Sequence, residues 1–313
     1  MKGIDIARAY WEQYGRPAIE AQFPALLPQV AAGLCGSGSE CFGYDDALSR
    51  DHDFEPGFIL FLPGEDKIDR RAEFQLERLY AKLPRDFMGL HRGLVSPVGG
   101  ARRGVLRAAD FFRDRTGAAD GILTVGQWLE TPEPSLAEAV NGAIFYDGPG
   151  EVTAIRGRLQ RYPQDIRLKK LAGHLLLAGQ AGQYNYLRCV GHGETGAAQL
   201  AVGEFVSHAM AAAFLLCDVY RPFYKWQFRA LKALPVLSGI AGDLEFLLTS
   251  GNDGNLPRQK QAVMERVSDN ILVVLRAQGL SPLTDSDLER HAYAVNDRIS
   301  DGDLRNAHVL AAM

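Results

Sequence analysis

The reading of the fold turns on Gly36-Ser37-Gly38-Ser39-Glu40-Cys41-Phe42-Gly43-Tyr44-Asp45-Asp46-Ala47-Leu48-Ser49-Arg50-Asp51-His52-Asp53-Phe54, with Phe58-Ile59-Leu60-Phe61-Leu62 close behind. A turn of small residues leads into an Asp-x-Asp pair, and an apolar run follows. Gly38 and Ser39 would let backbone N–H groups and a hydroxyl approach a phosphate, because a residue without Cβ admits close contact. On a strand, Asp51 and Asp53 would point the same way, since side chains at i and i+2 share a face. Two hard oxygen ligands so placed suit Mg²⁺, which is usually held by one or two carboxylates plus substrate phosphates. A phosphate cradle beside a divalent cation is the equipment of phosphoryl or nucleotidyl transfer.

Working outward, residues 4–32 read as helix, with Ile6, Tyr10, Tyr14, Ile19, Phe23 and Leu26 at helical spacing and Pro17 opening a second segment. Val30 to Leu34 reads as a strand delivering the chain to the turn. Beyond Pro63-Gly64, Asp66 to Leu83 is a charged amphipathic helix. Short strands are expected at 93–95 and 104–106, and a helix at 108–115. Residues 123–129 are ambiguous, and 135–140 are helical. The run 143–147 ends in Asp-Gly, and either pairs as a hairpin with 152–155 or feeds a helix. From Tyr162 the period is helical to the end, through 194–220, 223–234, 237–248, 257–278 and 284–296. No internal repeat interrupts the chain.

The 313 residues suggest about two domains. The apolar share of 47 % supports a buried core, and the net charge of −4 argues against broad nucleic-acid binding while leaving room for a local basic groove. Cys35, Cys41, Cys189 and Cys217 lack the close paired spacing of a zinc site, which favours reduced thiols in a cytoplasmic protein. Met1-Lys2-Gly3-Ile4-Asp5 has no apolar h-region and so does not read as a signal peptide. The apolar stretch Phe205 to Cys217, at 13 residues, is too short for a bilayer, so no membrane partner is expected.

The order Gly38-Ser39, a further glycine, then Ser49-Arg50-Asp51-His52-Asp53 resembles the signature of the polymerase-β-like nucleotidyltransferase superfamily, which includes the kanamycin and other aminoglycoside nucleotidyltransferases. The nearer resemblance is to an uncharacterised bacterial family, the DUF4037 type. Its members carry runs similar to residues 38–54 and a later segment like Tyr220-Arg221-Pro222-Phe223-Tyr224-Lys225-Trp226. The resemblance implies an α+β fold: a nucleotidyltransferase-like mixed-sheet domain over 1–155, followed by an all-α helical bundle over 156–313. It implies Asp51 and Asp53 as ligands of Mg²⁺ or Mn²⁺. Gly38, Ser39 and Ser49 would meet the phosphates of an NTP, with ATP the expected substrate, and Lys225 would meet them as a mobile point charge.

Two departures stand out. Arg50 separates Ser49 from Asp51 where the superfamily has Ser-Asp-x-Asp. The third carboxylate expected on a neighbouring strand does not announce itself. Asp147 is the first candidate as general base or third ligand, with Asp110 and Glu130 as others; Asp147 serves equally as a turn residue. His52 reads as a structural hydrogen-bonder, His208 as a core or surface histidine, and Asp45 and Asp46 as loop-tip or capping residues. The expected activity is Mg²⁺-dependent transfer of NMP from an NTP to a hydroxyl or other acceptor on a small molecule or protein. The alternative is a nucleotide-binding sensor or interaction protein without turnover.

Overall fold

A computed structural model describes residues 1–46, 55–93 and 103–313. The chain is mixed α+β with a helical C-terminal part. It divides into two compact units. Unit 1 holds Met1–Gln127 and Thr131–Gln160, and unit 2 holds Trp128–Glu130 and Arg161–Met313.

Unit 1 is built on a four-stranded mixed sheet of β1 (Ala31–Leu34), β2 (Ile59–Leu62), β5 (Gly104–Arg107) and β6 (Ala143–Asp147), in the order β5-β2-β1-β6. β1 pairs antiparallel with β2 and β6, and β2 pairs parallel with β5. The two central strands are buried along their whole length, which is why Ile59-Leu60-Phe61-Leu62 reads as an unbroken apolar run rather than an alternation.

One face of the sheet is covered by the N-terminal segment. α1 (Gly3–Tyr10) runs through a single π-turn (Trp11–Gly15) into α2 (Arg16–Gln22), with Pro17 in the first turn of α2. Tyr10, Trp11 and Ile19 pack there with Val30, Phe58, Leu60 and Leu62, joined by Leu76 and Leu79 of α3 (Arg70–Lys82). The Trp11 and Phe58 rings meet edge to face at 5.0 Å. On the other face, Phe61 meets Phe111 of α4 (Ala108–Thr116) at 5.2 Å, also edge to face. A small hairpin of β3 (Asp86–Phe87) and β4 (Leu90–His91) precedes Gly93.

The strand expected at 93–95 falls largely outside the described residues. The hairpin alternative for 143–155 does not form: after β6 the chain enters α7 (Glu151–Leu159). The ambiguous segment 123–129 becomes α5 (Val125–Glu130), because Thr124 and Gln127 build a capping box at its start, and α6 (Glu133–Val140) follows.

Unit 2 is helical: α8 (Gln164–Ala178), α9 (Tyr186–Gly191), α10 (Thr195–Leu216), α11 (Tyr224–Leu231), α12 (Ala241–Thr249), α13 (Leu256–Ala277), α14 (Leu288–Asn296) and α15 (Gly302–Asn306). α10 is its central rod. The 13-residue apolar stretch is part of a 22-residue helix that is long and apolar enough to cross a membrane by length and composition, and 67 % of its apolar window is buried inside the structure. The length argument made from sequence is therefore corrected. Ala198, Val202, Phe205, Ala209, Ala212 and Leu216 are buried, as the core helix of a bundle requires.

Candidate functional site

Where β1 ends, Gly36 and Gly38 adopt φ of 103° and 134°, in the region that favours glycine. The chain then closes a turn: the Gly38 carbonyl accepts the Cys41 N–H, and the Ser39 carbonyl accepts those of Phe42 and Tyr44. Among the described residues, the N–H groups of Ser37, Gly38, Ser39 and Glu40 take no protein partner. Successive free N–H groups at such a bend form a concavity suited to an anion.

Distant residues hold the turn. The Asn141 side chain, at the end of α6, grips Gly36 twice: Oδ1 accepts the Gly36 N–H at 2.8 Å and Nδ2 donates to the Gly36 carbonyl at 2.8 Å. Arg156 Nη2 donates to the Val140 and Asn141 carbonyls at 2.6 and 2.7 Å, which fixes the residue that does the gripping. On the far side of the turn, buried Glu40 accepts from Arg103 Nη2 at 3.0 Å, and the two side chains are 4 % and 6 % exposed. The Glu40 carboxylate packs on Gly38, so a Cβ added there would meet it at 2.8 Å. Arg103 Nη1 also lies 4.0 Å from Glu55, whose other oxygen accepts the Gly93 N–H at 2.8 Å. A buried ion pair thus ties the turn to Arg103 and, through it, to Glu55. Neither the Asn141 clamp nor the Glu40–Arg103 pair carries a local sequence signal, because their partners are 105 and 63 positions apart.

A cavity of about 520 Å³ opens beside the turn, lined by Ser37 and Cys35 together with Arg107, Asp110, Arg115 and Glu138. Asp110 pairs with Arg113 at 2.7 Å, and the Arg115 guanidinium stacks on Phe111 with its carbon 3.8 Å from the ring centroid. Burial pushes the Cys35 thiol up to about 11, against the opposing pull of Arg156 and Arg115, and raises Cys41 well above the usual thiol range. Both therefore stay protonated near neutrality and are poor nucleophiles or metal ligands.

Asp51, Asp53 and Ser49 lie outside the described residues, as do Arg50 and His52. Among the described residues no cluster of three or more His, Cys, Asp or Glu side chains could hold a metal ion. Gly38 and half-buried Ser39 stand in the turn as expected. Asp147 does not: β6 is antiparallel to β1, so Asp147 pairs with Ala31 at the start of β1, while the turn leaves its end after Leu34. That separation is about 10 Å along the strand. Its Oδ2 accepts the Thr153 N–H of α7 at 2.7 Å, so the carboxylate acts as a cap, the turn role weighed for it. Of the three candidates for the third carboxylate, Asp110 is the one that lines a cavity with the turn, and Glu130 is exposed at the end of α5. Asp45 caps α1 by accepting the Gly3 N–H at 3.0 Å, with Lys2 3.6 Å away. Lys225 belongs to unit 2, exposed at the start of α11 with Nζ 4.9 Å from the Trp226 ring centroid.

These features define a mixed-sheet unit whose glycine turn is clamped at the end of a central strand, followed by a helical unit. Residues 128–227 match the family model described as Domain of unknown function (DUF4037), which bears out the DUF4037-type family resemblance read from the sequence. The matched segment includes Tyr220 to Trp226, whereas the run 38–54 falls outside it. No curated protein and no solved structure matches the chain.

Proposed function

We propose that unit 1 binds a nucleoside triphosphate at the Gly36–Glu40 turn and transfers its NMP group to an acceptor, in the manner of a polymerase-β-like nucleotidyltransferase. The observation that carries the reading is the clamped turn itself. Two left-handed glycines and four N–H groups without a protein partner are held open at the end of a buried strand by Asn141 on one side and Glu40–Arg103 on the other. A triphosphate supplies the negative charge such a bend attracts.

In this reading Asp51 and Asp53 hold Mg²⁺ or Mn²⁺, which supplies charge neutralisation at the phosphates. Gly38 and Ser39 contact the phosphates, and the acceptor enters the cavity shared by Ser37 and Asp110. The second reading, nucleotide binding without turnover, is favoured by one fact: Asp147 caps α7 at the opposite end of β1 instead of approaching the turn.

Pyrophosphate release separates the two. Each of ATP, GTP, CTP and UTP is incubated with Mg²⁺ or Mn²⁺, the protein and a panel of hydroxyl and amine acceptors. Release that disappears in Asp51→Asn/Asp53→Asn supports transfer, and its dependence on Asp110→Asn identifies the third carboxylate. Mg²⁺-dependent binding with no pyrophosphate across the panel supports the binder.

A further inference from the structure

Between Asp218 and Asp243 the chain runs through residues 219–242 without one acidic residue, while carrying Arg221, Lys225, Arg229 and Lys232. In a protein of net charge −4 this is a local reversal of sign. The same stretch holds five aromatic residues, Tyr220, Phe223, Tyr224, Trp226 and Phe228.

α11 sorts them by face. Its buried side is Ala230 and Leu231. Lys225, Arg229 and Lys232, at i, i+4 and i+7, share the opposite side and are exposed. Over seven residues they form a row about 10 Å long. Trp226 lies beneath the first two, its ring centroid 4.9 Å from Lys225 Nζ and 5.5 Å from the Arg229 guanidinium carbon, which aligns both charges. Lys232 pairs with Glu245 at 3.5 Å, but both side chains are 57 % exposed, so a stronger anion displaces that contact at little cost. At the head of the row Tyr224 and Phe223 are 73 % and 46 % exposed, with ring centroids 4.4 Å apart. Two adjacent aromatic rings exposed to water offer a stacking platform.

We infer that this face of α11 is a docking surface for an unpaired nucleic-acid strand, whose phosphates follow the Lys225–Arg229–Lys232 row and whose bases stack on Tyr224 and Phe223. Cationic rows combined with exposed aromatics are the two requirements of sequence-tolerant single-strand binding. A membrane surface is disfavoured because the apolar side of α11 is already buried in unit 2. An acidic peptide would use the cations and leave the two rings without a role. A mononucleotide carries its phosphates in one place and does not use a row of this length. Every residue the inference invokes lies in unit 2, and it reassigns Lys225, expected from sequence to meet an NTP, to the phosphates of a strand.

The test is fluorescence anisotropy of a labelled uridine 20-mer RNA against the full chain at 50 and 200 mM salt. Wild type should bind, and more weakly at the higher salt. Lys225→Ala/Lys232→Ala should weaken binding about tenfold or more at 50 mM and flatten the salt slope by about 1.4. Tyr224→Ala should weaken binding roughly 5- to 100-fold with the slope unchanged, because stacking releases no counterions. All three positions are exposed, so unaltered circular dichroism is expected of each variant. No binding by wild type overturns the inference, as does equal binding by all variants. Indifference to Tyr224→Ala with equally tight heparin binding overturns it in favour of a surface that reads charge alone. Full displacement of the strand by stoichiometric ATP overturns it in favour of a mononucleotide site.

Discussion

Asn141 closes a two-bond ring with the backbone of Gly36, donating through Nδ2 and accepting through Oδ1, each at 2.8 Å, across 105 positions of sequence. An asparagine side chain is an amide, so it pairs with a peptide unit as a second strand would. The Gly36 peptide is thereby paired where the β1 ladder has stopped. Replacing Asn141 by alanine removes both bonds and leaves both Gly36 groups without a partner, at a cost of about 1–3 kcal/mol. Asn141→Asp keeps the acceptor and loses the donor, so it should fall between. Urea unfolding of the three proteins gives the ranking.

Gly38 and Gly43 both have positive φ but differ in surroundings. At Gly43, with φ of 70°, an added Cβ meets nothing within 4 Å, and Gly43→Ala should cost about 1 kcal/mol, the left-handed penalty alone. At Gly38 the Cβ collides with a carboxylate that Arg103 holds in place. Gly38→Ala should therefore be clearly more destabilising, and should also weaken NTP binding if the turn receives phosphate. Thermal melts with and without Mg²⁺–ATP compare the two variants.

The Glu40–Arg103 pair is almost fully buried, so removing one partner strands the other charge. Glu40→Leu should cost about 3–5 kcal/mol, whereas Glu40→Leu with Arg103→Met should cost less than the sum of the single changes. A double-mutant cycle in urea reads the coupling directly.

In unit 2, His174 and His208 face each other with their Nδ1 atoms 2.8 Å apart, and His208 Nε2 lies 3.2 Å from Glu204. Burial lowers both histidines, His174 strongly, with Arg221 acting in the same direction on each; Lys170 adds to the effect on His174, and Glu204 opposes it on His208. The folded state therefore prefers neutral rings, while the unfolded chain takes up protons near pH 6.5. Stability is fully present above about pH 6.5 and is lost as the pH falls toward the lowered folded values. The free energy of unfolding should decline from pH 7 to pH 5, and less steeply in His174→Gln.

Regular elements were legible wherever period and punctuation agreed. The strand before the turn, the apolar run 58–62 and the helices at 108–115, 194–220 and 257–278 are all present within a few residues. Pro17 marks α2 because it occupies the first turn, where its missing N–H is not needed. The break at 179–185, where α8 gives way to π-type turns before α9, was not legible. There the deciding contact is tertiary: Gly182 lies so close to Phe205 of α10 that a Cβ would clash with its ring. The candidate site divides in the same way. The glycines of the turn are local signals, whereas Asn141 and Arg103 act across the fold. Asp147 stayed open between third carboxylate and turn residue because an Asp-Gly strand end looks the same at either end of a sheet, and only the antiparallel pairing with β1 shows which end it occupies.

The central claim is that the turn and the Asp51/Asp53 pair together grip a metal-bound triphosphate. Isothermal titration with a non-hydrolysable ATP analogue, with Mg²⁺ and with EDTA, tests it most directly. The account predicts Mg²⁺-dependent binding to wild type and at least a tenfold loss in Asp51→Asn/Asp53→Asn, with circular dichroism unaltered. No binding at millimolar analogue in the presence of Mg²⁺, or equal affinity in the folded double variant, would contradict it.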